Sequence, residues 1–427
     1  MHLSPPTRRG ASLIPLVIPW LLGAAPDDVV ERTPAALAAF ARAHNPRVRA
    51  ATLESAGARR AAEGADTLPD PMLELRAAPL SVPGLLPPDP HGASGFGAEL
   101  MVAQRFPLSG RLGHEAARTA ALARGVSAER DSLLLDLERE AALVACGAWE
   151  AATVARVRGR HVEVLGAMAD VARAQIASGR ATVGDAQRLD AETARLSLDV
   201  LESEGELAAL DVETNLLLGR AAGAPLPAPG EQVPWLLAEP SAPALDERDE
   251  VRREAAQVEA AQAERARANA AWVPDLSASL GYSSMWPLSH AFTVGVGVEL
   301  PVFFGGRSAE RDAAGTMEQA AAARLDEARR RVTAELAAAR ARDAAAARML
   351  AVLEERVAPL ASARAQTARA ALSGGAALDA ALDATNEERA VELERTRATA
   401  ARCRARAELW RAAGVSFLAT PAPSVTP

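Results

Sequence analysis

The sequence predicts a mainly α-helical fold with a small β part, built from one unit stated twice. Three observations carry this. Proline-bounded junctions recur in the same order in the two halves of the chain. Between them lie segments that alternate apolar and polar residues with period two. Beyond them run long Ala/Arg/Glu/Leu stretches with apolar residues three and four apart. A repeat fixes architecture before any local feature does, and here the unit is helix, strand pair and long helical hairpin.

Residues 1–25 read as an export signal: Arg8 and Arg9 precede an apolar run from Ala11 to Leu22, and Gly23-Ala24-Ala25 offers small residues for cleavage. The first structural repeat is expected over 26–218. Thr33-Pro34 opens a helix with a cap and a proline at its first position. Asn45-Pro46 breaks it, a second helix follows, and Pro69 and Pro71 end helicity. Met72, Glu74 and Arg76 then alternate with Leu73, Leu75 and Ala77. A Pro/Gly-rich loop, Pro79 to Gly95, leads to a second strand, Phe96 to Phe106. From Gly113 to about Ile176 there is no proline, enough for an unbroken helix of roughly 95 Å at about 1.5 Å per residue. Ser178-Gly179-Arg180 turns the chain into a return helix. There Leu189, Thr193, Leu196, Val200, Ser203, Leu207, Leu210, Thr214 and Leu217 form a coiled-coil seam.

A Pro/Gly-rich linker, 219–246, with Trp235 as its one large anchor, separates this repeat from the second, 247–418. Helicity stops at Pro274. Leu276, Ala278, Leu280 and Tyr282 share one face of a strand, as do Phe292, Val294, Val296, Val298 and Leu300 of the next; the opposite faces are Ser, Gly, Thr and Glu. After Pro301 a long helix carries a seam through Val332, Leu336, Ala339, Asp343, Ala346, Leu350, Leu353, Val357 and Leu360. Ser373-Gly374-Gly375 gives the second reversal, and 419–427 is a Pro-rich tail expected to be disordered.

Composition agrees. Aromatics are 3% of 427 residues, a poor recipe for a large globular core but suited to helices packed closely through alanine. The chain has no lysine, and its net charge of −8 argues against a nucleic-acid partner. Enzymatic readings find no support: His2, His44, His91, His114, His161 and His290 are scattered without metal-ligand spacing, and no phosphate-loop pattern occurs, so no cofactor and no metal site is expected. Cys146 and Cys403 lie in Ala-rich helices and read as buried free thiols, with a disulfide between two helices as the alternative.

Four amphipathic strands are too few to close a barrel, and a sheet in lipid tolerates no open edge. Several chains must therefore pool their strands: two would give eight, three would give twelve and a wider bore. The expected assembly is an exported oligomer with a short β-barrel joined to a long helical tube.

This order of elements resembles the TolC family of outer-membrane efflux proteins, from about Thr33 to Leu418. The marks are Asn45-Pro46, Leu68-Pro69-Asp70-Pro71, Gln104-Arg105-Phe106-Pro107-Leu108-Ser109-Gly110-Arg111 and Leu300-Pro301-Val302-Phe303-Phe304-Gly305-Gly306-Arg307. The Pro-Asp-Pro and Gln-Arg-Phe-Pro-Leu-Ser-Gly-Arg versions look most like the heavy-metal branch. The resemblance implies a homotrimer with a twelve-stranded barrel in the outer membrane of a Gram-negative-type bacterium and a periplasmic α-barrel. It also implies a periplasmic adaptor and an inner-membrane pump of the RND type. Within the same fold, the exit duct of a type I protein-secretion system is an alternative. A soluble periplasmic scaffold or adaptor is the rival from another class.

By this resemblance the reversals at Ser178, Gly179, Arg180 and at Ser373, Gly374, Gly375 are the tips that meet the adaptor. Asp185, Arg188, Asp379 and Asp383 follow the tips; Asp379 and Asp383 share a helix face, and in a trimer each would form an acidic ring if it faced the bore. An ordinary solvated face is the competing reading. Pro69, Pro107, Pro274 and Pro301 mark the helix–strand transitions. Glu74, Arg76 and Glu99 are expected to face the lumen, since an Arg at the lipid midplane costs about 2–4 kcal/mol.

Overall fold

A computed structural model describes residues 30–78, 96–234, 239–286, 289–300, 304–373 and 378–419. Several features read from the sequence lie outside these residues: the signal segment 1–25, the loop 79–95, Trp235, Pro301, Gly374 with Gly375, and 420–427, as do His2 and His91.

The first repeat contains α1 (Pro34–His44), α2 (Pro46–Glu63), β1 (Met72–Ala78), β2 (Phe96–Pro107), α3 (Arg111–Ile176) and α4 (Val183–Leu218). The second contains α5 (Asp249–Ala270), β3 (Asp275–Trp286), β4 (Ser289–Glu299), α6 (Phe304–Val352), α7 (Ala358–Ser373) and α8 (Leu378–Ala413). Among the described residues the strands form one antiparallel sheet in chain order.

Local chemistry sets the breaks. Thr33 caps α1 by accepting from the Ala36 N–H, with Pro34 at the first position. Asn45 ends α1 and caps α2. Its Oδ1 accepts from Arg47 N at 2.8 Å, while its Nδ2 donates to the Leu217 carbonyl at the end of α4, at 2.7 Å. The reverse side of that contact is Gly219, at φ +69, where a Cβ would stand 3.0 Å from the His44 oxygen. Positive φ and close approach both require glycine there. The Asn45-Pro46 break is thus a clasp between α1, α2 and α4.

The body is held by small residues. Alanine is the commonest residue at the buried positions of α3, among them Ala121, Ala128, Ala141, Ala142, Ala145, Ala148 and Ala169, so neighbouring backbones approach closely. Larger side chains gather in two places. Leu37, Leu137, Leu217, Leu218, Trp410 and Phe417 form a cluster near the middle of the body. Leu165, Met168, Leu189, Leu196, Leu372 and Leu382 form another toward the hairpin reversals. The mid-body cluster encloses Glu138, which accepts from Arg42 at 2.7 Å, Ser416 at 2.7 Å and the Phe417 N–H at 3.1 Å. Burial pushes this carboxyl up, against the pull of those donors.

The α4 seam runs as the spacing predicts: none of its positions is exposed, and Leu189, Leu196, Ser203, Thr214 and Leu217 are buried. The second seam holds through Val332, Leu350 and Leu353, then departs. Leu360, expected in the seam, is 73% exposed, and Ala361 and Ala365 are buried instead. The reason is a π-helical turn at Leu353–Val357. One extra residue in a turn rotates everything after it by about 100°. Pro359, which cannot donate to the carbonyl four residues back, follows immediately.

The cysteines also correct the first expectation. They are not free thiols: Cys146 of α3 and Cys403 of α8 form a disulfide, with Cα atoms 6.0 Å apart and a sequence separation of 257. It joins the first repeat to the second.

Candidate functional site

The sheet is the first part of the site. Cross-strand partners share a face, and the observed register places every charged strand residue on the same one. Glu74, Arg76, Glu99, Arg105, Asp275 and Glu299 align there with Ser277, Ser279, Ser283, Thr293, Gly295 and Gly297. Arg76 pairs with Glu74 at 2.6 Å and Arg105 with Glu299 at 3.5 Å. The other face carries Leu73, Leu75, Leu100, Val102, Leu280, Tyr282, Phe292, Val294, Val296 and Val298, all exposed, with Val294 at 79% and Phe292 at 77%. Within one chain nothing covers this face among the described residues. Contiguous apolar area of this kind marks a membrane or protein contact.

The two ends of the apolar face differ. Toward the helices, Gln104 donates to the Pro69 carbonyl at 2.8 Å. Toward the β3–β4 turn, the Tyr282 hydroxyl meets His290 Nδ1 at 2.7 Å, and the Tyr282 ring lies 5.2 Å from that of Phe292. Amphipathic aromatic side chains suit a water–lipid boundary. Strands β2, β3 and β4 have 12, 12 and 11 residues, and about 9–11 tilted residues cross a bilayer. No helix among the described residues is long and apolar enough to do so.

The transition prolines bracket the sheet. Pro69 lies between α2 and β1, Pro274 between α5 and β3, and Pro107 ends β2 opposite Asp275. Arg111, after the β2 junction, reaches Asp275 at 3.6 Å.

The reversals form the second part. Gly179 adopts φ +67, and the Arg180 N–H closes back on the Gln175 carbonyl at 3.2 Å, a glycine-terminated helix end. Ser178, Gly179 and Arg180 are exposed. Gln175 Nε2 also donates to the Leu372 carbonyl at 3.0 Å, so this tip stands beside the end of α7, where Ser373 is the last residue.

Of the four residues expected beyond the tips, the structure joins two. Arg188 of α4 forms an ion pair with Asp379 of α8, both exposed. Asp383 is exposed one turn further along α8. Asp185 is occupied differently: Thr182 and Asp185 form a capping box, with the Thr182 N–H and hydroxyl donating to the carboxylate at 2.8 Å each. The Thr182 backbone N–H, then its hydroxyl, hold this carboxyl below the usual range. The pattern Thr182-x-x-Asp185 was a readable signal for that role. Not foreseen were Glu192–Arg389 at 3.7 Å, a second α4–α8 bridge, and the buried Glu388 held by Arg369 at 2.6 Å. Among the described residues no group of three His, Cys, Asp or Glu could hold a metal ion.

The sequence of residues 242–415 matches the family described as outer membrane efflux protein. That match spans the second repeat and the end of the linker before it. Solved structures agree in fold. A structure of CusC is 20% identical, covers 97% of this chain and 100% of its own, and superposes with a TM-score of 0.77. A membrane protein from Pseudomonas aeruginosa is 20% identical, covers 97% of each chain and gives 0.79. VceC, an outer membrane protein of Vibrio cholerae, is 17% identical, covers 90% of this chain and 96% of its own, and gives 0.74. No curated protein sequence matches the chain. The fold of these structures is the one described here, with the duplicated helix–hairpin–helix order and a sheet joined to long helices.

Proposed function

We propose that this chain is the outer-membrane exit duct of a tripartite efflux system. Three copies pool their strands into a twelve-stranded barrel, and their helices form a periplasmic tube. The observation that carries this reading is the one-sided sheet: an exposed apolar face backed by a face holding all the strand charges. An apolar face of that size is tolerable against lipid, and the charges then line a wet bore.

In this reading the tips at Ser178, Gly179 and Arg180, with Ser373, Gly374 and Gly375, dock on a periplasmic adaptor, which couples the duct to an inner-membrane pump of the RND class. The duct does no chemistry on its cargo. Heavy-metal cations are the proposed cargo class, on the strength of the Pro-Asp-Pro and Gln-Arg-Phe-Pro-Leu-Ser-Gly-Arg motifs. The gate is assigned to Asp379 and Asp383, with Arg188 as the latch between α4 and α8; Asp185 contributes by fixing the start of α4.

Cell fractionation and export assays test the proposal. The expected result is an oligomer in the outer membrane whose deletion raises intracellular metal and lowers metal tolerance. Recovery in the soluble periplasm would overturn it.

A further inference from the structure

We infer the register in which one copy pairs with the next: β4 joins β1 of a second copy so that Glu299, Gly297 and Gly295 stand opposite Met72, Glu74 and Arg76. The inference rests on the oligomeric duct proposed above and on the internal repeat.

The junction motifs equate Asp70 with Asp275 and Pro107 with Pro301. The two hairpins test this equivalence independently. Met72↔Ala103 in the first becomes Ser277↔Gly297 in the second, and Arg76↔Glu99 becomes Gly281↔Thr293; both second-hairpin pairs are observed. The repeats therefore share one geometry. Between them lies a third seam, β2 against β3, with Arg105↔Ser277, Ala103↔Ser279 and Met101↔Gly281. Its equivalent one repeat further on is β4 against β1 of a second copy, and the same substitution yields the pairs above. On the other face it yields Val298↔Leu73 and Val296↔Leu75.

The side chains fit. On their own hairpin Gly295 and Gly297 face the Ser279 and Ser277 hydroxyls, whose Oγ atoms a Cβ would approach to 2.5 Å and 2.7 Å and which would rotate aside to admit one. From the other edge they meet the two bulkiest charged residues of β1. The Val–Leu pairs extend the apolar face without interruption, whereas a slip of one residue would turn Glu74 and Arg76 onto it. The helices ask for the same neighbour. α5 packs against both α3 and α6, while α2 packs chiefly against α3 and leaves Leu53 exposed. The missing neighbour of α2 is α6 of the second copy. Such a head-to-tail contact generates a ring where the rotation between copies closes, as the duct reading requires.

The test is cysteine cross-linking in outer membranes of cells making the full chain with its Cys146–Cys403 bond intact. Two double variants, Gly297→Cys with Glu74→Cys and Val296→Cys with Leu75→Cys, probe the two faces. Oxidation with copper phenanthroline is expected to give covalent dimers and trimers from at least one, at several-fold higher yield than Gly295→Cys with Glu74→Cys or Gly297→Cys with Arg76→Cys. Single variants should stay monomeric on a non-reducing gel. Protein that reaches the outer membrane but cross-links better in a shifted pair, or in no pair, overturns the register alone. Unaltered protein that never reaches the outer membrane overturns the duct reading and the register with it.

Discussion

At the scale of single residues, position on the sheet decides tolerance to charge. Val296 and Thr293 are near neighbours on β4 but face opposite ways. Val296→Arg should cost about 2–4 kcal/mol if it lies near the bilayer midplane and sharply reduce the oligomer recovered from outer membranes. Thr293→Arg should leave recovery near that of the unaltered protein; heat-modifiable band intensity on gels checks both. A different residue sets a pH dependence. Asp249, at the start of α5, has its carboxyl pushed up to about 6, chiefly by burial, with Arg252 opposing and Asp131 and Glu250 adding to the rise. Because the folded state binds this proton more tightly than the unfolded chain does, the contribution of Asp249 to stability falls as pH rises from about 4 through 6. The melting temperature of Asp249→Asn relative to the unaltered protein should therefore climb across that window. A difference that stays flat would remove the shift.

At the scale of elements, the hairpin reversal at Gly179 is held by left-handed backbone followed by the Thr182–Asp185 box. Gly179→Pro cannot keep φ positive. It should leave oligomers in the membrane while abolishing export, measured as lost tolerance to the exported substrate; normal tolerance would remove the docking role. The elements also show what was legible beforehand. Strand faces and helix ends were readable because alternation and proline act locally: Leu73 against Glu74, or Pro69 and Pro274, need no knowledge of the rest of the chain. The displacement of Leu360 was not read, because a seam of threes and fours looks continuous across a π-turn; Pro359 was the available sign. The capping role of Asp185 is legible in its distance of three from Thr182 rather than in its charge.

At the scale of the whole molecule, the duplication explains why neither repeat nor chain is complete. The first repeat has its helices and strands in the second repeat's geometry, yet two sheet edges and one flank of α2 remain without neighbours among the described residues. The Cys146–Cys403 bond was the least legible feature, since two residues so far apart in sequence are brought together only by α3 packing on α8. It closes a loop spanning 257 residues, for which the chain-entropy model gives roughly 5 kcal/mol. A Cys146→Ser, Cys403→Ser variant should unfold at distinctly lower denaturant concentration while the sheet stays paired. The central claim is that separate chains pool their strands around a common bore. Electron cryomicroscopy of the protein extracted from outer membranes tests it most directly. The account predicts a threefold ring of twelve strands, apolar faces outward and charged faces inward, continuous with a helical tube. A particle of one chain with open sheet edges, or a ring with the charged faces turned toward the detergent, would contradict it.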